Sequence, residues 1–255
     1  MKTHSDSFAN YKASSQGHID FIVVVCHAVP ALRADIALPR PEITHPPDHF
    51  KKDRNPKSWI SSHIGNYTDE LARSALLTVF SYFEGYVKDS LREIVAFHGG
   101  ESAFQDRARI RSKRFLQSHS AKISENKRKL QDNPDPVKLA KYQKYGRLLD
   151  ATGYRFPTDL LSNFGVRFLR AKLDDKRGMR AFEIPEILSE CLLFDIEASE
   201  RNMFEAARGL RNKLAHGRPQ PITLATALRY ASELHSLAAK IDRHICEHFF
   251  VIQEV

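Results

Sequence analysis

The spacing of apolar residues near the end of the chain does most to restrict the fold. Between residues 224 and 249 they recur at intervals of three or four, at Leu224, Ala227, Leu228, Ala231, Leu234, Ala238, Ile241, Ile245 and Phe249. At about 100° per residue, these intervals place the side chains on one face of an α-helix. Thr223 stands where its hydroxyl can accept a hydrogen bond from a backbone N–H of the first turn. The segment therefore predicts a long amphipathic helix, capped by Thr223, that packs against other helices.

Two further segments carry the same helical pattern. The first spans residues 69–97, ends before the glycine pair at 99–100, and has the stripe Leu76, Phe80, Phe83, Val87 and Ile94. The second has Ser199 as its expected N-cap and the stripe Met203, Ala207, Leu210 and Leu214. Gly217 favours a left-handed residue after a helix that ends at His216. Alternating strand patterns are absent, so the predicted fold class is all-α.

The chain is expected to form a single domain over residues 1–255, since its length suits one large core. Five prolines predict a loop at residues 39–57, because proline cannot continue a helix or a central strand. Residues 101–185 are interpreted as a basic helical insertion. A solvent-exposed or partner-facing helix is expected at 104–131, and shorter helices are expected at 137–150, 158–171 and 186–195.

Positive charge is concentrated in the middle of the chain. Of the 39 Lys and Arg residues, 20 lie within residues 101–180 beside nine acidic residues, while the remainder holds 19 basic and 22 acidic residues. This asymmetry favours a polyanionic partner such as RNA, because cationic side chains attract phosphates irrespective of sequence. The alternative is a solvated, arginine-rich helical surface.

No cofactor and no metal are expected. The cysteines Cys26, Cys191 and Cys246 are far apart, and the H-x-x-E-H pattern at residues 244–248 has too little chain after it for a third ligand. The apolar run at residues 21–26 is too short to span a membrane, and no leader pattern is visible, so we expect a cytoplasmic protein.

The polar motif RNKLAH at residues 211–216 stands at the predicted end of the second helix. Its helical positions place Asn212 and His216 away from the helix's own apolar stripe, while Arg211 flanks that stripe. Asn212 and His216 are one turn apart and can touch. One interpretation is that Arg211 and His216 only stabilise the helix end, where cations are favoured by the helix dipole.

The motif resembles the R-x4-6-H signature of the HEPN superfamily. The YFEGY sequence at residues 82–86 also resembles the aromatic-Glu-aromatic pattern of the RiboL-PSP-like HEPN branch. The resemblance covers roughly residues 65–100 and 185–250. It implies a HEPN-type helical bundle and a homodimer in which two motifs form a composite active site. Many members of this superfamily cut RNA without metal.

The resemblance, with the chemistry of these side chains, predicts a metal-independent endoribonuclease. His216 is expected to transfer protons, Arg211 to stabilise developing charge, and Asn212 to orient His216 or the phosphate. Glu84 is expected to pair with Arg211 or to orient His216, although a plain ion pair between helices is equally consistent. The products would carry a 2′,3′-cyclic phosphate and a 5′-hydroxyl.

The residues expected to bind RNA are Arg208, Lys213, Arg107, Arg111, Lys113 and Arg114. The resemblance further favours a toxin or anti-phage defence effector, with a neutralising antitoxin or regulatory protein as a further partner. The alternative is a non-catalytic HEPN module that binds RNA or protein.

Overall fold

Long helices make up most of the described chain. The computed structural model describes residues 3–39, 57–100, 103, 179–192, 194–217 and 220–250. The main helices are α1 (Asp6–Ala37), α2 (Lys57–Ile64), α3 (Tyr67–Phe97), α4 (Ala198–Ala215) and α5 (Leu224–His248). Short helical segments precede α4 at Ala181–Glu183, Ile184–Glu186 and Ile187–Cys191. No strand occurs within the described ranges, and the predicted all-α class is confirmed.

The local signals at two helix ends are confirmed. The backbone N–H of Thr226 donates to the Thr223 hydroxyl over 3.2 Å, so Thr223 caps α5 as expected. After α3, Gly99 and Gly100 take φ values of 81° and 92°, a left-handed conformation that favours glycine and ends the helix. Each end is decided by residues close in sequence.

The prediction that Ser199 caps α4 is wrong. The helix begins at Ala198, so Ser199 lies within its first turn. Glu197 precedes the helix, and its backbone N–H donates to the Glu200 carboxylate over 3.1 Å. The Glu200 carboxylate thus accepts a backbone N–H at the start of the helix, where the helix dipole also favours negative charge.

Two predicted segments lie largely outside the described residues. The structure describes only the ends of the expected loop at residues 39–57, where the Lys57 ammonium donates to the Leu38 carbonyl over 2.7 Å. Of the expected basic insertion at 101–185, it describes residue 103 and residues 179–185. The helices predicted at 104–131, 137–150 and 158–171 lie outside the described residues. The helix expected at 186–195 corresponds to the short segments that end at Cys191.

The described residues divide into two compact units. The first comprises Met1–Tyr11, Phe83–Glu205 and His235–Val255. Its interior contains a cluster of aromatic rings, with centroid distances of 5.4–6.4 Å, formed by Phe8, Tyr11, Phe83, Tyr86 and His235. The Tyr86 hydroxyl donates to the Ala238 carbonyl over 3.1 Å, and burial raises its pKa well above the usual range. Tyr86 therefore stays neutral and satisfied inside this core.

Two carboxylates hold the N-terminal end of α1 within the first unit. Asp242 of α5 is fully buried and accepts hydrogen bonds from the Ser5 N–H, the Ser5 hydroxyl and the His4 imidazole. Glu93 of α3 accepts the backbone N–H groups of Asp6 and Ser7, each over 2.9 Å. Because the first N–H groups of a helix have no partner inside it, these carboxylates satisfy donors that would otherwise be unpaired.

The second unit comprises Lys12–Tyr82 and Ala206–Leu234. Its core joins residues of α1, α3 and α5 with Ile222, which precedes α5, and its buried members are Ile22, Leu71, Ala72, Ala75, Leu76, Ile222 and Ala227. Leu210 and Leu214 of α4 pack against this cluster, as their place in the predicted stripe requires. These contacts fix which face of α4 is turned inward.

Candidate active site

The last turn of α4 carries the motif RNKLAH. The backbone N–H of His216 donates to the Asn212 carbonyl over 3.1 Å, so the helical hydrogen bonding reaches His216 although α4 ends at Ala215. Gly217 then takes a φ of 67°, and its N–H donates to the Leu214 carbonyl over 3.0 Å. The glycine turns the chain away directly after His216 and so places the imidazole at the tip of the helix.

We predict opposite effects of alanine at the two glycines of this region. Gly217→Ala should lower the free energy of unfolding by about 1 kcal/mol, because a Cβ is unfavourable at a positive φ. Gly209→Ala should raise it by about 0.5–1 kcal/mol, because Gly209 lies inside α4 and an added Cβ would meet no atom within 4 Å beyond its chain neighbours and the nearby backbone of its own helix. Urea unfolding of both variants measures the difference. If both substitutions changed the free energy of unfolding in the same direction, this account of the helix end would be contradicted.

Arg211 lies half-buried between an aromatic ring and an amide. Its guanidinium carbon is 5.7 Å from the centroid of the Phe80 ring, within the range of a cation–π interaction. Its Nη1–H donates to the Asn212 side-chain oxygen over 3.1 Å. Phe80 is fully buried on α3 and belongs to the same compact unit. The guanidinium therefore has a defined position at the edge of the core.

His216 is in a different environment from Arg211. Its side chain is exposed, and it makes no hydrogen bond or ion pair with another residue of the described part of the chain. Asn212, one turn earlier, was expected to orient His216 or a phosphate, but its side-chain oxygen bonds Arg211. Asn212 and His216 are joined through the backbone only, by the helical hydrogen bond already described. The imidazole is accessible to a substrate that approaches the end of α4.

Of the remaining predicted site residues, the structure describes three and does not describe four. On α4, Arg208 is half-buried and Lys213 is exposed. Glu84 is half-buried on α3 and falls in the first compact unit, so its pairing with Arg211 or His216 stays a prediction. The four remaining candidates lie outside the described residues: Arg107, Arg111, Lys113 and Arg114.

Phe80 is the residue of this site that the sequence pattern did not reveal. It stands on the apolar stripe of α3 and was interpreted as core alone, which its full burial confirms. The only signal was its register: it lies one helical turn before Glu84 on the same helix. Contact with Arg211 depends on how α3 packs against α4, which no local pattern specifies.

The first histidine of the H-x-x-E-H pattern on α5 is packed within the first unit, whereas Glu247 and His248 are exposed. The Nε2–H of His244 donates to the Leu192 carbonyl over 2.7 Å, and burial lowers the pKa of this imidazole. Its ring also contacts Phe194 at a centroid distance of 5.5 Å. Among the described residues, no group of three or more His, Cys, Asp or Glu side chains is arranged to hold a metal ion.

Comparison with known proteins identifies one family. A family model described as RiboL-PSP-HEPN matches residues 48–247, which include α2 to α4, most of α5 and the whole RNKLAH motif. No curated protein and no solved structure matches the chain. Among the helices that the structure describes, none is both long enough and apolar enough to span a membrane.

Proposed function

Since this chain belongs to the RiboL-PSP-HEPN family, we propose that it is a metal-independent endoribonuclease. HEPN domains are often ribonucleases or RNA-binding modules, and these are the two activities that we compare. The observation that favours cleavage is that an arginine and an exposed histidine stand close together in sequence at the end of α4. A guanidinium held by Phe80 and Asn212 stands five residues before an exposed imidazole. A phosphodiester needs both an anion-stabilising group and a proton-transfer group to be cut without metal.

The proposed reaction is an internal transesterification of RNA. The ribose 2′-oxygen loses its proton to a base and forms a bond to the adjacent phosphorus. The bond from phosphorus to the 5′-oxygen breaks, and that oxygen receives a proton from an acid. The products are a 2′,3′-cyclic phosphate and a 5′-hydroxyl. No other reactant is required, because the attacking hydroxyl belongs to the substrate.

Each motif residue has one proposed role. His216 transfers a proton, because imidazole is the side chain whose ordinary pKa lies nearest neutral pH. Arg211 donates hydrogen bonds to the phosphoryl oxygens, where negative charge increases in the transition state. Asn212 holds the Arg211 guanidinium through its side-chain oxygen. Glu84 is proposed to orient one of these two catalytic groups.

The proposed enzyme works as a homodimer with a composite active site. One motif supplies one imidazole, whereas the reaction needs a base at the 2′-oxygen and an acid at the 5′-oxygen. A second copy of the chain would supply the second His216. Arg208 and Lys213, on the same helix end, would contact neighbouring phosphates together with the basic segment at residues 101–180. A toxin or defence role, with a neutralising partner, is part of the same proposal.

A second candidate function is RNA binding without cleavage. Three cations on the last turns of α4, Arg208, Arg211 and Lys213, can bind phosphate through charge alone. The half-burial of Arg211 is compatible with this function, because a held guanidinium also forms a static phosphate site. The two functions differ in whether the RNA stays intact.

The direct test uses a fluorescent single-stranded RNA with EDTA in excess. We expect cleavage fragments with a 2′,3′-cyclic phosphate on one side and a 5′-hydroxyl on the other. The matched control is the same oligonucleotide with 2′-deoxyribose at the cut position, which should resist cleavage there because the nucleophile is missing. Intact RNA that is nevertheless bound in a salt-sensitive manner would support the binding module. Cleavage that disappears with EDTA would overturn the proposal.

A further inference from the structure

We infer that Phe80 is a positioning residue for the reaction, because its ring holds the Arg211 guanidinium in place before RNA binds. The inference rests on the proposed function, since it assigns Arg211 to the transition state. It extends the site to a buried residue of α3 that contacts no substrate. The observed distance of 5.7 Å joins the guanidinium carbon of Arg211 to the centre of the Phe80 ring.

The ring and the amide constrain the guanidinium in different ways. Phe80 is fully buried, so its ring is itself fixed by the surrounding core and forms a rigid support. The faces of an aromatic ring carry partial negative charge, which attracts a cation placed over them. Asn212 accepts a hydrogen bond from Nη1 over 3.1 Å and therefore restricts rotation of the guanidinium plane. Together they define both the place and the orientation of the group.

This support is useful because an arginine side chain is long and flexible. A free guanidinium would have to lose its rotational freedom when the transition state forms, whereas a held one has already lost it. Partial burial of Arg211 strengthens the attraction to the ring, because less water competes for the charge. An aliphatic residue at position 80 can fill the space but offers no negative face. The aromatic character of residue 80 should thus affect the rate as well as the packing.

The test compares Phe80→Leu with Phe249→Leu. Phe249 is also fully buried, belongs to the first compact unit and has no role in the site, so it reports the effect of removing a buried ring. We expect Phe80→Leu to lower kcat for RNA cleavage about tenfold with KM nearly unchanged, equivalent to about 1.4 kcal/mol of transition-state stabilisation. Phe249→Leu should lower stability to a similar extent but leave kcat within about twofold, a shift of about 0.4 kcal/mol.

Fluorinated phenylalanines separate the electronic effect from the shape of the ring. Fluorine withdraws charge from the ring face while the side chain stays aromatic, so 4-fluoro-, 3,5-difluoro- and 3,4,5-trifluorophenylalanine at position 80 form a graded series. We expect kcat to fall stepwise along the series. The same series at position 249 should have no trend. A kcat that is unchanged across the series at position 80 would overturn the inference.

A second readout does not depend on catalysis. The side-chain NMR signals of Arg211, assigned by their loss in Arg211→Lys, should be displaced by the ring current of Phe80. They should return toward the values of a mobile arginine in Phe80→Leu but not in Phe249→Leu. If this happens in a protein that cuts no RNA, the positioning is right and the proposed function is wrong. If RNA is cut while the Arg211 signals are unaffected by Phe80→Leu, the proposed function is right and the positioning by Phe80 is wrong.

Discussion

RNA cleavage should fall at least about a hundredfold in His216→Ala and in Arg211→Ala, which is the largest effect we expect from any single substitution. His216→Ala removes the proposed proton-transfer group, and Arg211→Ala removes the proposed stabiliser of the phosphoryl oxygens. The loss should appear mainly in kcat, because both groups act most strongly in the transition state. Initial rates on a fluorescent RNA, measured with EDTA present, give the comparison.

The controls are chosen to match residue type, and His63 also matches His216 in exposure. His63→Ala removes an exposed histidine at the end of α2, and Arg92→Ala removes an exposed arginine whose only described ion pair is with Asp89. Both should cleave RNA at the wild-type rate. His216→Ala should keep the wild-type melting temperature, since its side chain is exposed. Arg211→Lys keeps the charge but loses the planar group, so it should not restore activity. Full activity in His216→Ala and Arg211→Ala would refute the catalytic proposal.

The same variants test the activity inside cells. If the protein is a ribonuclease toxin, expression of the wild-type chain should inhibit growth, and His216→Ala should relieve the inhibition at equal protein levels. Toxicity that persists in His216→Ala would have another cause. His63→Ala, expressed in parallel, should remain as toxic as the wild-type chain.

Asp242→Ala should lower the free energy of unfolding by about 3 kcal/mol. The Asp242 carboxylate is fully buried and accepts three hydrogen bonds from His4 and Ser5, at the residue that caps α1. Alanine would leave the Ser5 N–H and hydroxyl buried without an acceptor, since Ser5 is itself fully buried. For a chain of this size the melting temperature should fall by roughly 10 °C. Thermal and urea unfolding measure the change.

Two further variants check the cause of this loss. Asp242→Asn keeps one oxygen that can accept from Ser5, so we expect a smaller loss than with alanine. Asp89→Ala removes an exposed carboxylate of α3 that pairs only with the neighbouring Arg92 among the described residues, and should change stability by less than about 0.5 kcal/mol. If Asp242→Ala were as stable as Asp89→Ala, the buried hydrogen bonds at the start of α1 would contribute nothing.

Much of the fold was readable from short-range patterns. The stripes of α3 and α5 predicted helices whose stripe residues are buried, except that Leu224, Leu228 and Ala231 of α5 are half-buried. Thr223 and the glycines at 99–100 predicted where helices start and stop. These features depend on residues within one or two turns of each other. The start of α4 was misplaced by two residues because two signals compete there. Ser199 has the usual chemistry of an N-cap, yet the Glu200 carboxylate satisfies the helix start from inside the first turn.

The apolar run at residues 21–26 shows where a one-dimensional pattern is insufficient. Ile22 is buried in the core of the second unit, whereas the side chains of Phe21 and Val24 are 55% and 62% exposed. A helix turns successive residues to different sides, so an unbroken apolar run cannot be buried on one face. Burial within the run was decided by the helices packed against α1.

For the RNKLAH motif, the sequence alone determined two properties. These are the direction of each side chain around the helix and the position of the motif at the end of α4. Those properties need only a helical repeat and Gly217 after the last turn. The state of each side chain was decided by tertiary structure. Arg211 lies over the ring of Phe80, a residue of another helix far away in the chain, while His216 is exposed. The physical reason is that helical periodicity assigns a direction to each side chain, but only the packing of α3 against α4 determines what lies in that direction.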